Sequence, residues 1–185
     1  MAHQARPVKR AGAARARVAL GPITASDAPI LFEWINDRDL VLFNAAYRPT
    51  HEAAHLAWVR SLADRRDLVA FAIRTVPGKR LIGVCQLTGI DPIHRRADLQ
   101  IRMGDDRTRG RGLGLEAVRL LLAFGFGDLN LHRISLQVFA TNARAIKTYE
   151  RAGFHHEGRL RDAVFLDGRF VDVLAMAILD REFRR

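Results

Sequence analysis

The stretch Met103-Gly104-Asp105-Asp106-Arg107-Thr108-Arg109-Gly110-Arg111-Gly112-Leu113-Gly114 sets arginines and glycines directly ahead of an apolar helical segment. A strand that runs through a glycine turn into a helix gathers free backbone N–H groups and the positive end of a helix dipole at one point. Such a point suits an anionic phosphate. Without a Cβ, Gly112 and Gly114 let main-chain amides approach a pyrophosphate closely, and Arg107, Arg109 and Arg111 raise the local positive potential. Two familiar phosphate patterns are excluded. Counting Gly-x-Gly-x-x-Gly from Gly110 puts Leu115 at its last position, and no Gly-Lys-Ser/Thr tripeptide occurs. What remains is Arg109-x-x-Gly112-x-Gly114, a pattern that ordinary glycine turns ahead of helices also satisfy.

Other reactive side chains are sparse. Cys85 is the single cysteine, which excludes an internal disulfide and a cysteine metal cluster; it reads as a packed thiol in an apolar strand. His155 and His156 are neighbours on a strand and face opposite sides, with no carboxylate pattern beside them. No metal site is expected.

The elements that position the turn follow from periodicity. Val18 to Ile23, Leu68 to Arg74, Leu81 to Thr88 and Ala97 to Met103 read as strands. In the fourth, Ala97, Leu99, Ile101 and Met103 face one way and Asp98, Gln100 and Arg102 the other. Leu115, Val118, Leu122 and Phe126 then make an amphipathic helix, and Ile134, Leu136 and Val138 mark another strand. Asn142 can cap a helix whose inner stripe is Ala145, Ile146 and Tyr149, stopped by Gly153. Two further helices fit Ile30 to Ile35 and His51 to Leu62. The last strands, about Phe154 to Phe165 and Phe170 to Leu179, flank the Asp167-Gly168 turn.

With 185 residues, 49% of them hydrophobic and 27% charged, the chain suits one globular domain over residues 18–185. No apolar run approaches the roughly 20 residues of a membrane-spanning helix, and no secretory signal is visible. A cytoplasmic location is the default, without membrane contact. Half of the net charge of +10 sits in residues 1–17, where Arg6, Lys9, Arg10, Arg15 and Arg17 meet no acid. That segment reads as a mobile basic arm, a candidate contact for a polyanion such as RNA.

Downstream of the turn, Asn142-Ala143-Arg144-Ala145-Ile146-Lys147-Thr148-Tyr149 is followed by Ala152-Gly153-Phe154. With Arg109, Gly112 and Gly114 this resembles the GNAT superfamily of acyl-CoA N-acyltransferases, which carries Gln/Arg-x-x-Gly-x-Gly/Ala and then Asn-x-x-Ala-x-x-x-Tyr before a Gly-Phe pair. The resemblance spans about residues 18–180. Trp34-Ile35-Asn36-Asp37, His94-Arg95-Arg96-Ala97-Asp98 and Asp167-Gly168-Arg169-Phe170 look most like the group of ribosomal-protein N-terminal, spermidine and nucleotide amino-sugar acetyltransferases. It implies an α/β (α+β) fold: a mixed, mostly antiparallel sheet, split in a V between strands 4 and 5 and flanked by helices.

The resemblance further implies acetyl-CoA as cosubstrate, with no metal. Backbone near Ile101 and Met103 would meet its pantetheine arm. Arg109, Gly110, Arg111, Gly112, Leu113, Gly114 and Asn142 would hold the phosphate end. Tyr149, a phenol of pKa about 10, is the expected proton donor to the leaving thiolate. Asp98 is the expected base, with Glu33 as second choice; Glu33, Trp34 and Gln100 are the expected acceptor contacts. The acceptor is an amine on a small molecule or a peptide. A basic domain suits an anionic acceptor better than a polyamine, and Glu52-Ala53-Ala54-His55-Leu56-Ala57-Trp58 looks like the corresponding helix of amino-sugar acetyltransferases. N-terminal acetylation of a ribosomal or other protein is the alternative, and a non-catalytic RNA- or ribosome-binding module the rival of another class. The last strands are a candidate homodimer surface.

Overall fold

Strict alternation makes β4 (Arg96–Met103) the strand from which the site is built: Ala97 and Leu99 are buried while Asp98 and Gln100 are exposed. A computed structural model describes residues 16–108 and 110–183 of this chain. The predicted arm at residues 1–17 therefore lies outside the described residues, apart from its last two positions. Arg17 belongs to the folded part, since its backbone N–H and its Nε donate to Glu116 at 2.7 and 3.0 Å.

The remaining strands are β1 (Val18–Gly21), β2 (Leu68–Thr75), β3 (Leu81–Asp91), β5 (Arg133–Phe139), β6 (His155–Leu166) and β7 (Arg169–Leu179). They form one sheet in the order β1-β2-β3-β4-β5-β7-β6, antiparallel throughout except for β4 and β5. The first strand ends at Gly21, short of the expected Ile23, because Pro22 has no N–H for a ladder bond.

Helix α4 (Leu113–Gly127) lays Val118, Leu121 and Leu122 on the sheet, all fully buried with Ile73, Leu87, Ile134 and Ile178. Its first-turn acid, Glu116, is the residue that receives Arg17. Helix α5 (Ala143–Ala152) starts at Asn142, whose side chain accepts from the Ala145 N–H, and stops at Gly153 with φ +106. Both boundaries match the residue types that dictate them.

On the sheet's polar face of β4 sit α1 (Ala28–Asn36) and α3 (Glu52–Ser61). A single turn, α2 (Arg38–Val41), follows α1 and has no counterpart in the sequence reading. Asp37 explains both facts: it ends α1, and its carboxylate accepts from the Leu40 N–H at 3.0 Å to start α2. Asn36 pins the chain ahead of α3 by two bonds to the Thr50 backbone, at 2.8 and 3.1 Å. Among the described residues no helix is long and apolar enough to cross a membrane.

Candidate active site

Parallel pairing between β4 and β5 is confined to Arg96–Arg133, Ala97–Ile134 and Asp98–Ser135. Beyond that, each strand stays tied to its outer neighbour, β4 to β3 as far as Met103 and β5 to β7 as far as Phe139. The two therefore part in a V. An edge of β4 backbone is left beside the gap, as an extended ligand arm requires.

The glycine turn closes the open end. Gly112 caps α4 in the left-handed region, at φ +76 and ψ 6, and no side chain caps the helix. The helical ladder begins with Glu116 N–H donating to the Gly112 carbonyl at 3.2 Å. Hence the amides of Leu113, Gly114 and Leu115 have no helical partner. They border a groove of about 520 Å³ that also holds Gly110, Ile101, Met103 and Asn142. Arg144, Lys147 and Arg151 of α5 line the same groove, and among its lining residues there is no carboxylate. Glu116, the acid nearest the helix start, is occupied by Arg17. The groove therefore fits a phosphorylated ligand on three counts: free amides, left-handed glycines with open space at Gly110, and cations.

A second cavity, of about 360 Å³, lies on the other side of β4, between α1, α3 and β3. Trp34, Trp58, Leu31 and His55 line it from the helices; Val84, Gln86, Gln100 and Arg102 line it from the sheet. Three residues border both spaces: Asn44, Ile101 and Tyr149. Tyr149 is 7% exposed and packs edge-on against Phe154 at 5.8 Å. Burial pushes its phenol up to about 12. Its hydroxyl makes no hydrogen bond among the described residues, so it is free for a ligand at the junction.

The other predicted residues are distributed unevenly. Ile101, Met103, Gly110, Gly112, Leu113, Gly114 and Asn142 border the groove, and Trp34 and Gln100 the cavity. Arg109 lies outside the described residues. Arg111 is exposed and lines neither space; its carbonyl accepts from Arg17 at 2.9 Å. Asn142 spends its side chain on structure, capping α5 and donating from Nδ2 to the Phe43 carbonyl at 3.1 Å. That bond fixes the turn carrying Asn44. Glu33 is exposed on α1 and lines neither space, because Leu31, Trp34 and Ile35 take the inward face. Asp98 also lines neither. It sits where β4 and β5 are still paired and accepts from Ser135 Oγ at 2.6 Å.

Sequence reasoning passed over Arg144, Lys147 and Arg151, though their spacing on α5 beside the turn was a readable signal. It also passed over His55 and Arg102. His55 is 5% exposed, with Nε2 at 2.9 Å from the Ala28 carbonyl. A carbonyl can only accept, so Nε2 is the donor in this contact, and Nδ1 is the ring nitrogen left for another partner.

The model of the acetyltransferase (GNAT) domain family matches residues 17–155. The chain belongs to the GNAT acetyltransferase family. With the split sheet and the phosphate-ready turn, this makes it an acetyl-CoA-dependent N-acetyltransferase. The crystal structure of spermidine N-acetyltransferase from Vibrio cholerae, in complex with CoA and spermine, superposes on this acetyltransferase with a TM-score of 0.82. That match is 28% identical and covers 90% of this chain and 97% of that one. In sequence, the spermidine N(1)-acetyltransferase of Vibrio cholerae is 37% identical over 121 residues, which span 65% of this chain and 66% of that enzyme. The L-amino acid N-acetyltransferase of Escherichia coli K12 is 34% identical over 130 residues, 69% of this chain and 77% of that one.

Proposed function

We propose that this acetyltransferase moves the acetyl group of acetyl-CoA onto the primary amine of a small acceptor lodged in the 360 Å³ cavity. One observation carries the reading: Tyr149, Ile101 and Asn44 border both the groove and the cavity, so the two ligands meet there. Both substrates are then bound at once, and proximity supplies much of the acceleration. When acetyl-CoA is bound it supplies a thioester carbonyl whose C–S bond breaks as the amine forms the new C–N bond.

Main-chain amides of Leu113, Gly114 and Leu115, with Arg144, Lys147 and Arg151, hold the phosphate end. Tyr149 donates a hydrogen bond towards the departing sulfur. A phenol near 12 facing a thiol of ordinary pKa, about 8.5, makes complete proton transfer uphill by on the order of 5 kcal/mol. The hydroxyl therefore acts as a donor that strengthens as charge builds on sulfur. The proton that finally rests on the thiol comes from the amine.

The amine must reach the reaction uncharged. No carboxylate is among the residues that line the cavity, and the Arg102 guanidinium there disfavours an ammonium. We assign the accepting role to His55, in place of Asp98, which lines neither space. The panel that tests the reading contains a nucleotide-linked amino sugar, spermidine, short peptides with free N-termini and free amino acids. Free thiol released from acetyl-CoA is the readout. Release with one class of amine, reduced by Tyr149→Phe, is the expected result. Tight acetyl-CoA binding without release from any member would make the protein a CoA-binding module.

A further inference from the structure

The wall of the acceptor cavity contains a charge without a counter-charge. Arg102 projects from β4 beside Gln100 and opposite Val84, and all three line the cavity. Its Nε is fully buried and has no hydrogen-bond partner. No other bond or ion pair reaches its guanidinium among the described residues. Its neighbours offer none: Gln86 Nε2 donates to Gln100 Oε1 at 2.6 Å, which uses that oxygen internally. The remaining lining contains no carboxylate and includes a large aromatic and aliphatic surface from Trp34, Trp58, Leu31 and Val84, with Asn44 and Thr50 as neutral polar groups.

An arginine withdrawn from water in this way is costly unless something neutral or negative satisfies its fork of donors. Burial lowers its pKa from the ordinary guanidinium value, yet the group remains cationic near neutrality. Two other part-buried arginines are paired: Arg74 with Asp27 and Arg133 with Glu157. Arg102 alone of these faces an open cavity. A carboxylate or a phosphate is the complement that its planar donors accept in two parallel bonds.

We infer that the acceptor is a primary amine carrying an anionic oxygen group, carboxylate or phosphate, which Arg102 grips while the amine is presented at Tyr149. The inference rests on the acetyl-transfer reading above for the identity of the cavity. It makes Arg102 a specificity-determining residue. A polyamine is disfavoured on the same ground, since it would bring positive charge to a guanidinium with no carboxylate among the lining residues. An apolar side chain on the acceptor would lie against Trp34, Trp58 and Leu31.

The test separates binding from chemistry. The chain's two tryptophans, Trp34 and Trp58, both line the cavity, so acceptor binding reads out as a change in intrinsic fluorescence. With the protein and CoA present, L-leucine, ethanolamine phosphate, L-leucinamide and spermidine are titrated in parallel. L-leucine or ethanolamine phosphate should bind at least about tenfold more tightly than L-leucinamide or spermidine, because a site built for a polar group rejects the analogue lacking it. Whichever of the two anions binds better identifies carboxylate or phosphate. Arg102→Gln should erase the preference, and Arg102→Lys, which keeps the charge but loses the fork, should retain part of it. Equal or tighter binding of L-leucinamide or spermidine, an unchanged preference in Arg102→Gln, or no fluorescence response to any of the four would overturn the inference. The comparison among ligands needs no variant, so a poorly folding substitution does not blunt it. Anion-selective binding without thiol release would instead sink the acetyl-transfer reading and leave the Arg102 assignment standing.

Discussion

Gly104 lies against the face of Trp34 so closely that a Cβ at position 104 would fall 2.0 Å from the indole Cδ2. The end of β4 and the inner face of α1 are thereby seated together, and the indole becomes a wall of the acceptor cavity. The neighbouring atoms are a ring rather than the tip of a flexible chain, so they cannot yield by a few tenths of an ångström. Gly104→Ala is expected to push Trp34 out of place, at a cost of about 1–3 kcal/mol in stability. The acceptor's KM should rise while acetyl-CoA affinity, set across the V, changes little. Thermal melts together with both binding constants check this; an unchanged melt would show that α1 moves freely.

Tyr149→Phe removes one hydroxyl and no packing, since the ring's contact with Phe154 remains. Turnover is expected to fall on the order of a hundredfold, as for loss of one well-placed donor at a developing anion, with acetyl-CoA affinity kept. Because burial raises the phenol to about 12, the hydroxyl stays protonated through the whole working range. The pH–rate profile of the unaltered enzyme should accordingly show no Tyr149-dependent decline below about pH 11. A basic limb near pH 10 that vanishes in Tyr149→Phe would contradict the buried placement.

Local chemistry explains which parts were readable in advance. Gly112 must be glycine to reach φ +76, and Asn142 must be a capping type to accept from Ala145, so both motifs announce themselves in the chain. Strict alternation from Ala97 to Met103 likewise told which face of β4 is buried. The acceptor cavity has no such signature. Its wall is assembled from α1, α3, β3 and β4, and whether Glu33 or Trp34 faces inward depends on how α1 is rotated against the sheet. His55 sits in an unremarkable helical stretch until Ala28, Phe32 and Trp58 are brought around it. The alternation of β4 marks Asp98 as a polar-face residue and suggests it as a base, but only the point at which β4 and β5 separate places it outside both spaces.

The three cations of α5 offer a separate test of the phosphate assignment. Arg144, Lys147 and Arg151 are exposed, so each contributes modestly and in a salt-dependent way. Replacing any one by Gln should weaken acetyl-CoA binding roughly two- to fivefold, and replacing all three should flatten its dependence on ionic strength. Calorimetric titration at two salt concentrations measures this. Gly112→Asp, which adds a negative charge and a side chain at a left-handed position, should lower the affinity further than any single cation variant. If it binds acetyl-CoA normally, the phosphates are held elsewhere.

A last prediction concerns the anchor of α1, on which the cavity depends. Asp27, 5% exposed just ahead of α1, accepts from Arg74 Nη2 at 2.7 and 2.8 Å and from the Thr24 N–H at 2.8 Å. Burial alone would raise its pKa, but the bonds from Arg74 and Thr24 outweigh it and hold the carboxyl below its usual value. A carboxyl with a folded pKa lower than the unfolded one, about 3.9, contributes stability that is fully present above the unfolded value. That contribution is lost as pH falls through the folded value. Asp27→Ala should therefore cost on the order of 2 kcal/mol at neutral pH. This is less than the ~3–5 kcal/mol of a fully buried pair, because the Arg74 side chain is 24% exposed and regains water. The gap in stability between the two proteins should narrow in acid, below about pH 4. Denaturant titrations at pH 7 and pH 3 decide it: a gap that stays constant would mean that Asp27 acts through packing and not through its charge.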